Sequence, residues 1–250
     1  MTQVPAATKT LQVLKFLASQ PDPVPLTRIM SACDLPRSTA YHLVRAMADE
    51  GFVTHFADER RFGLGVAAFE VGSGYSRQAQ LQRLARRLVA QLSDSVHESA
   101  HLAVLHGRDV LYVIEERAVG RPHLVSDVGV RLPAHLTASG RAILAALPEP
   151  QLRALFPDRD AFVERHGTGP TSLSALRSIL SEVRRTGVAV ENGDVTPGLA
   201  SLAAVVRDHG GTPLAGVAVT FPDVPAADRS ALSDAVLRTA DRLTRRLAGH

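Results

Sequence analysis

Residues 35–47 read Leu-Pro-Arg-Ser-Thr-Ala-Tyr-His-Leu-Val-Arg-Ala-Met, and this stretch decides the fold of the first part of the chain. At about 100° per residue, Ala40, Leu43, Val44 and Met47 share one apolar face. The pattern predicts a helix that tolerates Pro36 at its start, runs to about Glu50 and stops at Gly51. Ser38, His42, Arg45 and Asp49 fall on the opposite face, with Arg37, Thr39 and Tyr41 on its flanks. That outer face is rich in groups that grip nucleic acid: arginine pairs with guanine edges or phosphate, and Ser and Thr donate to either. The face alone fits equally a solvated helix of any small bundle. Its neighbours shift the balance.

Upstream, Leu11, Val13, Leu14 and Leu17 mark a helix over Thr10–Ser19, broken by Gln20-Pro-Asp-Pro-Val-Pro25. Leu26–Cys33 reads as a short second helix, and Asp34-Leu35 turns the chain into the third. Downstream, Phe52–Phe56 and Arg61–Leu64 bracket the polar Ala57-Asp-Glu-Arg60, a β-hairpin. Three short helices and a hairpin predict a winged helix-turn-helix over residues 1–65.

The chain continues with a predicted connecting helix at Val66–Tyr75, assigned with its flanks to a linker over 66–80, and a stronger helix at Leu81–Val96. Within 81–250 the period changes. Strands at Ser99–Leu105 and Val110–Glu116 flank the turn His106-Gly-Arg-Asp109, and strands at Leu199–Arg207 and Leu214–Phe221 flank Asp208-His-Gly-Gly211. Helices are predicted at Ser139–Leu147, Gln151–Phe156, Ser174–Arg185 and Ala226–Ala248. The fold class is α+β.

Composition narrows the function. The 250 residues are 45% hydrophobic and 21% charged, which argues against disorder, and they contain no run long enough for a transmembrane helix. The N-terminal residues lack the apolar segment of a secretion signal, and the single Cys33 fits a reducing compartment, so a cytoplasmic protein is expected. Of 28 basic residues only Lys9 and Lys15 are lysines. Residues 1–75 hold seven basic and seven acidic side chains, so DNA binding has to rest on placed arginines, backbone amides and pairing of modules rather than bulk attraction.

Several separate motifs carry a resemblance: Leu35-Pro-Arg-Ser-Thr-Ala-Tyr, Glu50-Gly-Phe-Val, Phe62-Gly-Leu-Gly, Glu98-Ser-Ala-His-Leu-Ala-Val, Gly129-Val-Arg-Leu-Pro-Ala-His-Leu-Thr-Ala-Ser-Gly-Arg-Ala, and Pro197-Gly-Leu-Ala-Ser-Leu-Ala-Ala. In this order they resemble an IclR-type transcriptional regulator over almost the whole chain. The resemblance implies an N-terminal winged helix-turn-helix, a linker helix, and a C-terminal GAF-like domain of antiparallel sheet flanked by helices that binds a small effector. It also implies a homodimer or a homotetramer.

Thr137-Ala138-Ser139-Gly140 opens a helix whose free amides and dipole suit a carboxylate, while Thr137 or Ser139 serves equally as a simple cap. Alternation puts Ser201, Ala203 and Val205 on one strand face, and Gly216, Ala218 and Thr220 on one face of the next. The resemblance places ligand contacts at Ala138, Ser139, Glu191, Ser201, Ala218 and Thr220, and we include Gly140 in the expected site. Family members often carry Cys at the position of Ser201, Ser at those of Ala218 and Thr220, and Asp at that of Glu191. The expected effector is therefore a small carboxylate with an apolar or aromatic body.

Competing motifs are weaker. His97-Glu-Ser-Ala-His101 matches a zinc-protease pattern, but the alternation after it predicts a strand from about Ser99, which parts the two histidines by ~13 Å. No metal and no cofactor are expected. No Gly-x-Ser-x-Gly elbow anchors a serine triad, and Cys33 reads as a small core residue.

The sequence thus predicts a ligand-responsive repressor of a catabolic operon, without catalytic activity and without a membrane partner. Arg37, Ser38, Thr39, Tyr41, His42 and Arg45 face the major groove of a double-stranded DNA operator, and Arg60 and Arg61 lie along the backbone or minor groove. The alternative from another class is a small-molecule hydrolase using the C-terminal cavity.

Overall fold

The computed structural model describes residues 5–78, 80–121, 124–224 and 228–248. By its internal contacts the chain divides into two units, Met1–Ala79 and Gln80–His250. Among the described residues no helix is long and apolar enough to cross a membrane.

In the first unit, helices α1 (Pro5–Ala18), α2 (Leu26–Cys33) and α3 (Arg37–Asp49) close around Val13, Leu17, Ile29, Leu35, Ala40, Val44 and Met47. The turn between α2 and α3 forms because Asp34 adopts a left-handed conformation (φ 50°), which lets Leu35 N–H bond the Met30 carbonyl. Leu43, expected fully inward, is only part-buried, and Val44 and Met47 carry the contact. Strands β2 (Val53–Phe56) and β3 (Arg61–Leu64) make the hairpin. The proline-rich break is more than a breaker: Val24–Pro25 forms β1, pairing with β3 at the sheet edge where a proline costs no ladder bond. α4 (Val66–Gln78) extends beyond the expected Tyr75, with Gly72 and Gly74 inside it.

The second unit is one six-stranded antiparallel sheet between two helical layers. The strands are β4 (Ser99–His106), β5 (Asp109–Glu116), β6 (Arg131–Pro133), β7 (Ala189–Asn192), β8 (Leu199–Arg207) and β9 (Pro213–Pro222), in the order β6-β5-β4-β9-β8-β7. The helices are α5 (Gln80–Val96), α6 (Ala138–Ala146), α7 (Glu149–Leu155), α8 (Leu173–Thr186) and α9 (Arg229–Leu247). The expected start of the last helix at Ala226 lies outside the described residues.

Strands β6 and β7 were not predicted. Each has at most four residues and is bounded by turns, too few for a two-residue period to emerge. On one sheet face Leu102, Ile114, Leu202, Ala204, Val217 and Val219 meet α5 and α9. On the other, the small residues Ala103, Ala203 and Ala218 meet α6 and α8. That small-residue face lets α6 approach very closely. A Cβ on Gly216 would lie 2.6 Å from the Ser139 carbonyl oxygen, and a Cβ on Gly140 would lie 2.2 Å from that of Ala134. Both positions exclude any side chain.

Candidate functional site

A cavity lies where the start of α6 meets the sheet. Thr137, Ala138 and Ser139 form its helical wall; His101, Tyr112, Glu191, Ser201, Ala218 and Thr220 form its sheet wall. Leu124–Ser126 and Val195, Thr196 and Leu199 complete it. Six of the seven residues expected to bind ligand are thus brought together. Gly140 is the exception: its missing side chain makes room for the Ala134 carbonyl, and its N–H is taken by Thr137 Oγ1 at 3.0 Å. Arg141 N–H makes the first intrahelical bond, to Thr137 O at 2.9 Å. The N–H groups of Ala138 and Ser139 therefore have no partner within the helix, and they carry its positive dipole end.

Thr137 answers the cap-or-ligand alternative from the sequence by being the cap. Ser139 is left over. Its hydroxyl is buried and has no partner among the described residues.

Sequence reasoning missed two residues that shape this wall. His101 was weighed only as a zinc ligand. Its motif partner His97 sits in the turn before β4 (φ 55°), while His101 is 2% exposed on β4 and bonds Thr220 Oγ1 through Nε2 at 2.9 Å. Burial pushes its pKa down to about 4, so the ring is neutral at pH 7. Among the described residues no cluster of His, Cys, Asp and Glu is disposed to hold a metal. Arg141 was missed as well. It is buried, and it donates to His135 O (2.9 Å), Val190 O (2.7 Å) and Asp194 Oδ2 (2.5 Å), holding the segment after β7 against α6. Two of its three partners come from one short stretch around Glu191, so it fixes that carboxyl in place. The available signal was an arginine in an otherwise apolar helix, Ala138–Ala146.

Glu191 receives the Val195 N–H at 3.1 Å. Burial pushes its pKa up and the Asp194 charge adds to this, while donors at Val195, Ser201 and Asp194 pull it back. Among the described residues no lysine or arginine lines the cavity. An acid group there has to rely on the α6 amides and on hydroxyls. The space between the walls is about 30 Å³, room for a water or two.

In the first unit, Arg37, Ser38, Tyr41, His42 and Arg45 share the exposed face of α3, with Thr39 at its margin. Tyr41 is 49% exposed, and it contacts His42 edge-on. No side chain caps α3, whose N-cap is Pro36, so its first amides also face outward. At the hairpin tip Arg60 is exposed in a left-handed conformation. Arg61 is partly committed: it donates to the Pro23 carbonyl at 2.9 Å and lies 3.8 Å from Glu59.

Comparison with known families matches residues 6–55 to the IclR helix-turn-helix domain and residues 74–245 to the bacterial transcriptional regulator IclR C-terminal domain. The chain belongs to the IclR family.

This IclR-family member is 31% identical over 208 residues to the glycerol operon regulatory protein of Streptomyces coelicolor, covering 83% of this chain and 81% of that protein. It is 28% identical over 223 residues to the transcriptional repressor IclR of Escherichia coli, covering 88% and 81%. Its fold matches that of an IclR homologue from Microbacterium hydrocarbonoxydans, solved in complex with 4-hydroxybenzoate. The TM-score is 0.86 and the identity 21%, over 98% of this chain and 100% of that one. It is therefore a DNA-binding transcriptional regulator, and not an enzyme.

Proposed function

We propose that this IclR-family regulator is a repressor of a catabolic operon that senses a small aromatic or apolar carboxylate in the α6–sheet cavity. The observation that carries the reading is the pairing, among the described residues, of two helix-start amides without a partner in the helix with a buried, unpartnered Ser139 hydroxyl, in a cavity that no described lysine or arginine lines. Amides and hydroxyls can hold a carboxylate, and the small Ala138 and Ala218 leave room for its body. The homologue holding 4-hydroxybenzoate supports an acid of this size.

The present space is too small for such a ligand, since sites for drug-sized molecules typically span ~300–1,000 Å³. The walls must part when it enters, so the bound and free states differ in shape. A ligand that favours one shape shifts DNA affinity by ~1–3 kcal/mol, or roughly 5–150-fold. On the DNA side, Arg37, Ser38, Thr39, Tyr41, His42 and Arg45 enter the major groove, and Arg60 with Arg61 follows the backbone. One winged helix reads too few base pairs for useful specificity, so a dimer on two-fold half-sites is expected.

The test is footprinting of the DNA flanking the gene, with and without a panel of aromatic and aliphatic acids, followed by calorimetry. Ser139→Leu and Thr220→Leu should abolish acid binding and leave the footprint. Acid affinity unchanged in both variants overturns the assignment.

A further inference from the structure

Four polar side chains run in a hydrogen-bonded file across the sheet wall of the cavity. Glu191, Ser201 and Thr220 stand on one rung of β7, β8 and β9. His101, on β4, stands opposite Ala218, one face-position along from Thr220. Ser201 bonds Thr220 at 2.8 Å and Thr220 bonds His101 Nε2 at 2.9 Å, with Glu191 opposite Ser201 on the neighbouring strand.

The proton order of the file depends on which neighbour takes the Ser201 proton. Glu191 accepts the Val195 N–H at 3.1 Å and stands opposite Ser201 on the neighbouring strand, so as a carboxylate it is the acceptor at the end of the file. In that order Ser201 gives its only proton to Glu191. Thr220 must then give its only proton to Ser201. Thr220 Oγ1 is left as an acceptor, so His101 must donate from Nε2. A neutral imidazole has one proton, so Nδ1 is bare. That atom is buried, and no group among the described residues donates to it.

We propose that His101 Nδ1 is the specificity-determining acceptor of this cavity, selecting a carboxylate that also carries a hydroxyl or amine proton. This rests on the effector-binding reading of the cavity. The two walls then divide the work: α6 supplies donors for the acid group, and the sheet supplies an acceptor for the second polar group. An acid without that proton leaves Nδ1 unpaired against the ligand, a loss of roughly ten-fold or more in affinity. Glu191 acts at a distance, as the positioning residue that sets the tautomer.

The wild-type protein provides the first test. Long-range proton–nitrogen correlation on ¹⁵N-labelled full-length protein near pH 7, with His101 assigned by loss of its signal in His101→Gln, should show Nε2 protonated and Nδ1 unprotonated. The second test is calorimetry with the three hydroxybenzoate isomers and the matching fluorobenzoates, which keep the size and lack the proton. At least one hydroxyl compound should bind ~10-fold or more tightly than its fluoro partner, and His101→Phe should erase the difference. A protonated Nδ1, or equal affinities within every pair, overturns the proposal. Failure of all six probes in protein that still shifts operator DNA overturns instead the aromatic-acid sensor reading on which it depends.

Discussion

Helix α3 opens Arg37-Ser38-Thr39-Ala40 and helix α6 opens, from its cap, Thr137-Ala138-Ser139-Gly140, two strings of small hydroxyl residues with similar local chemistry. Their environments are opposite. α3 buries only Ala40, Val44 and Met47, and turns its polar residues outward. α6 is buried continuously from Ala138 to Ala145. The same residue types therefore become an exposed helix face in one unit and the lining of a small cavity in the other. In α3, polar side chains can be removed with little effect on folding. In α6 the buried Arg141 is part of the packing, so there function and stability are coupled.

That contrast can be broken most sharply at Arg141. Arg141→Ala leaves Asp194 buried and unpaired and should cost ~3–5 kcal/mol in denaturant melts, a loss that no exposed arginine of α3 should approach.

The next effect concerns protons. His101 has its folded pKa at about 4 against an ordinary 6.5, so between those values the unfolded chain takes up a proton that the folded one refuses. Stability contributed by this residue is complete above pH 6.5 and falls as the pH drops towards 4, by about 3 kcal/mol. His135, also depressed by burial, acts in the same sense, while Glu191, raised by burial, opposes it. The measurement is therefore a difference: melts of wild type and His101→Gln across this range should converge at low pH. Parallel curves would remove His101 from the account.

On α3 the expected effects fall on binding. Arg45→Ala should weaken operator affinity by ~1–3 kcal/mol in fluorescence titrations, with an unchanged melting curve. A small effect on stability is also expected at Ser139. Ser139→Ala removes a buried hydroxyl that bonds nothing among the described residues, so stability should change by less than ~1 kcal/mol while carboxylate affinity drops. A large stability loss there would mean that the hydroxyl serves the fold and not a ligand.

Much of the first unit was legible because its signals are local. The apolar stripe of α3, the proline break, the Asp34 turn and the polar hairpin tip each lie within a dozen residues, and periodicity reads such distances directly. The cavity was legible only in part. The alternation of Ser201, Ala203 and Val205 and of Gly216, Ala218 and Thr220 announced its sheet wall, but Glu191 came only from family resemblance because β7 is too short to show a pattern. Gly140 illustrates the opposite error. A glycine at a helix start suggests a ligand approach, whereas here it makes room for the Ala134 carbonyl of the same chain.

The sequence by itself determined the winged helix-turn-helix, the α+β class of the second unit, the outward face of α3 and the helix start at Thr137, since each depends on residues near one another along the chain. Only the tertiary structure decided that His101 abandons its motif partner for Thr220, that Arg141 anchors the segment bearing Glu191, and that Ser139 and His101 Nδ1 are left without partners among the described residues. Those outcomes depend on which strands become neighbours. Residues 101, 191, 201 and 220 meet only because β4, β9, β8 and β7 pair in that order, and hydrogen-bond satisfaction is a property of the assembled site rather than of any segment.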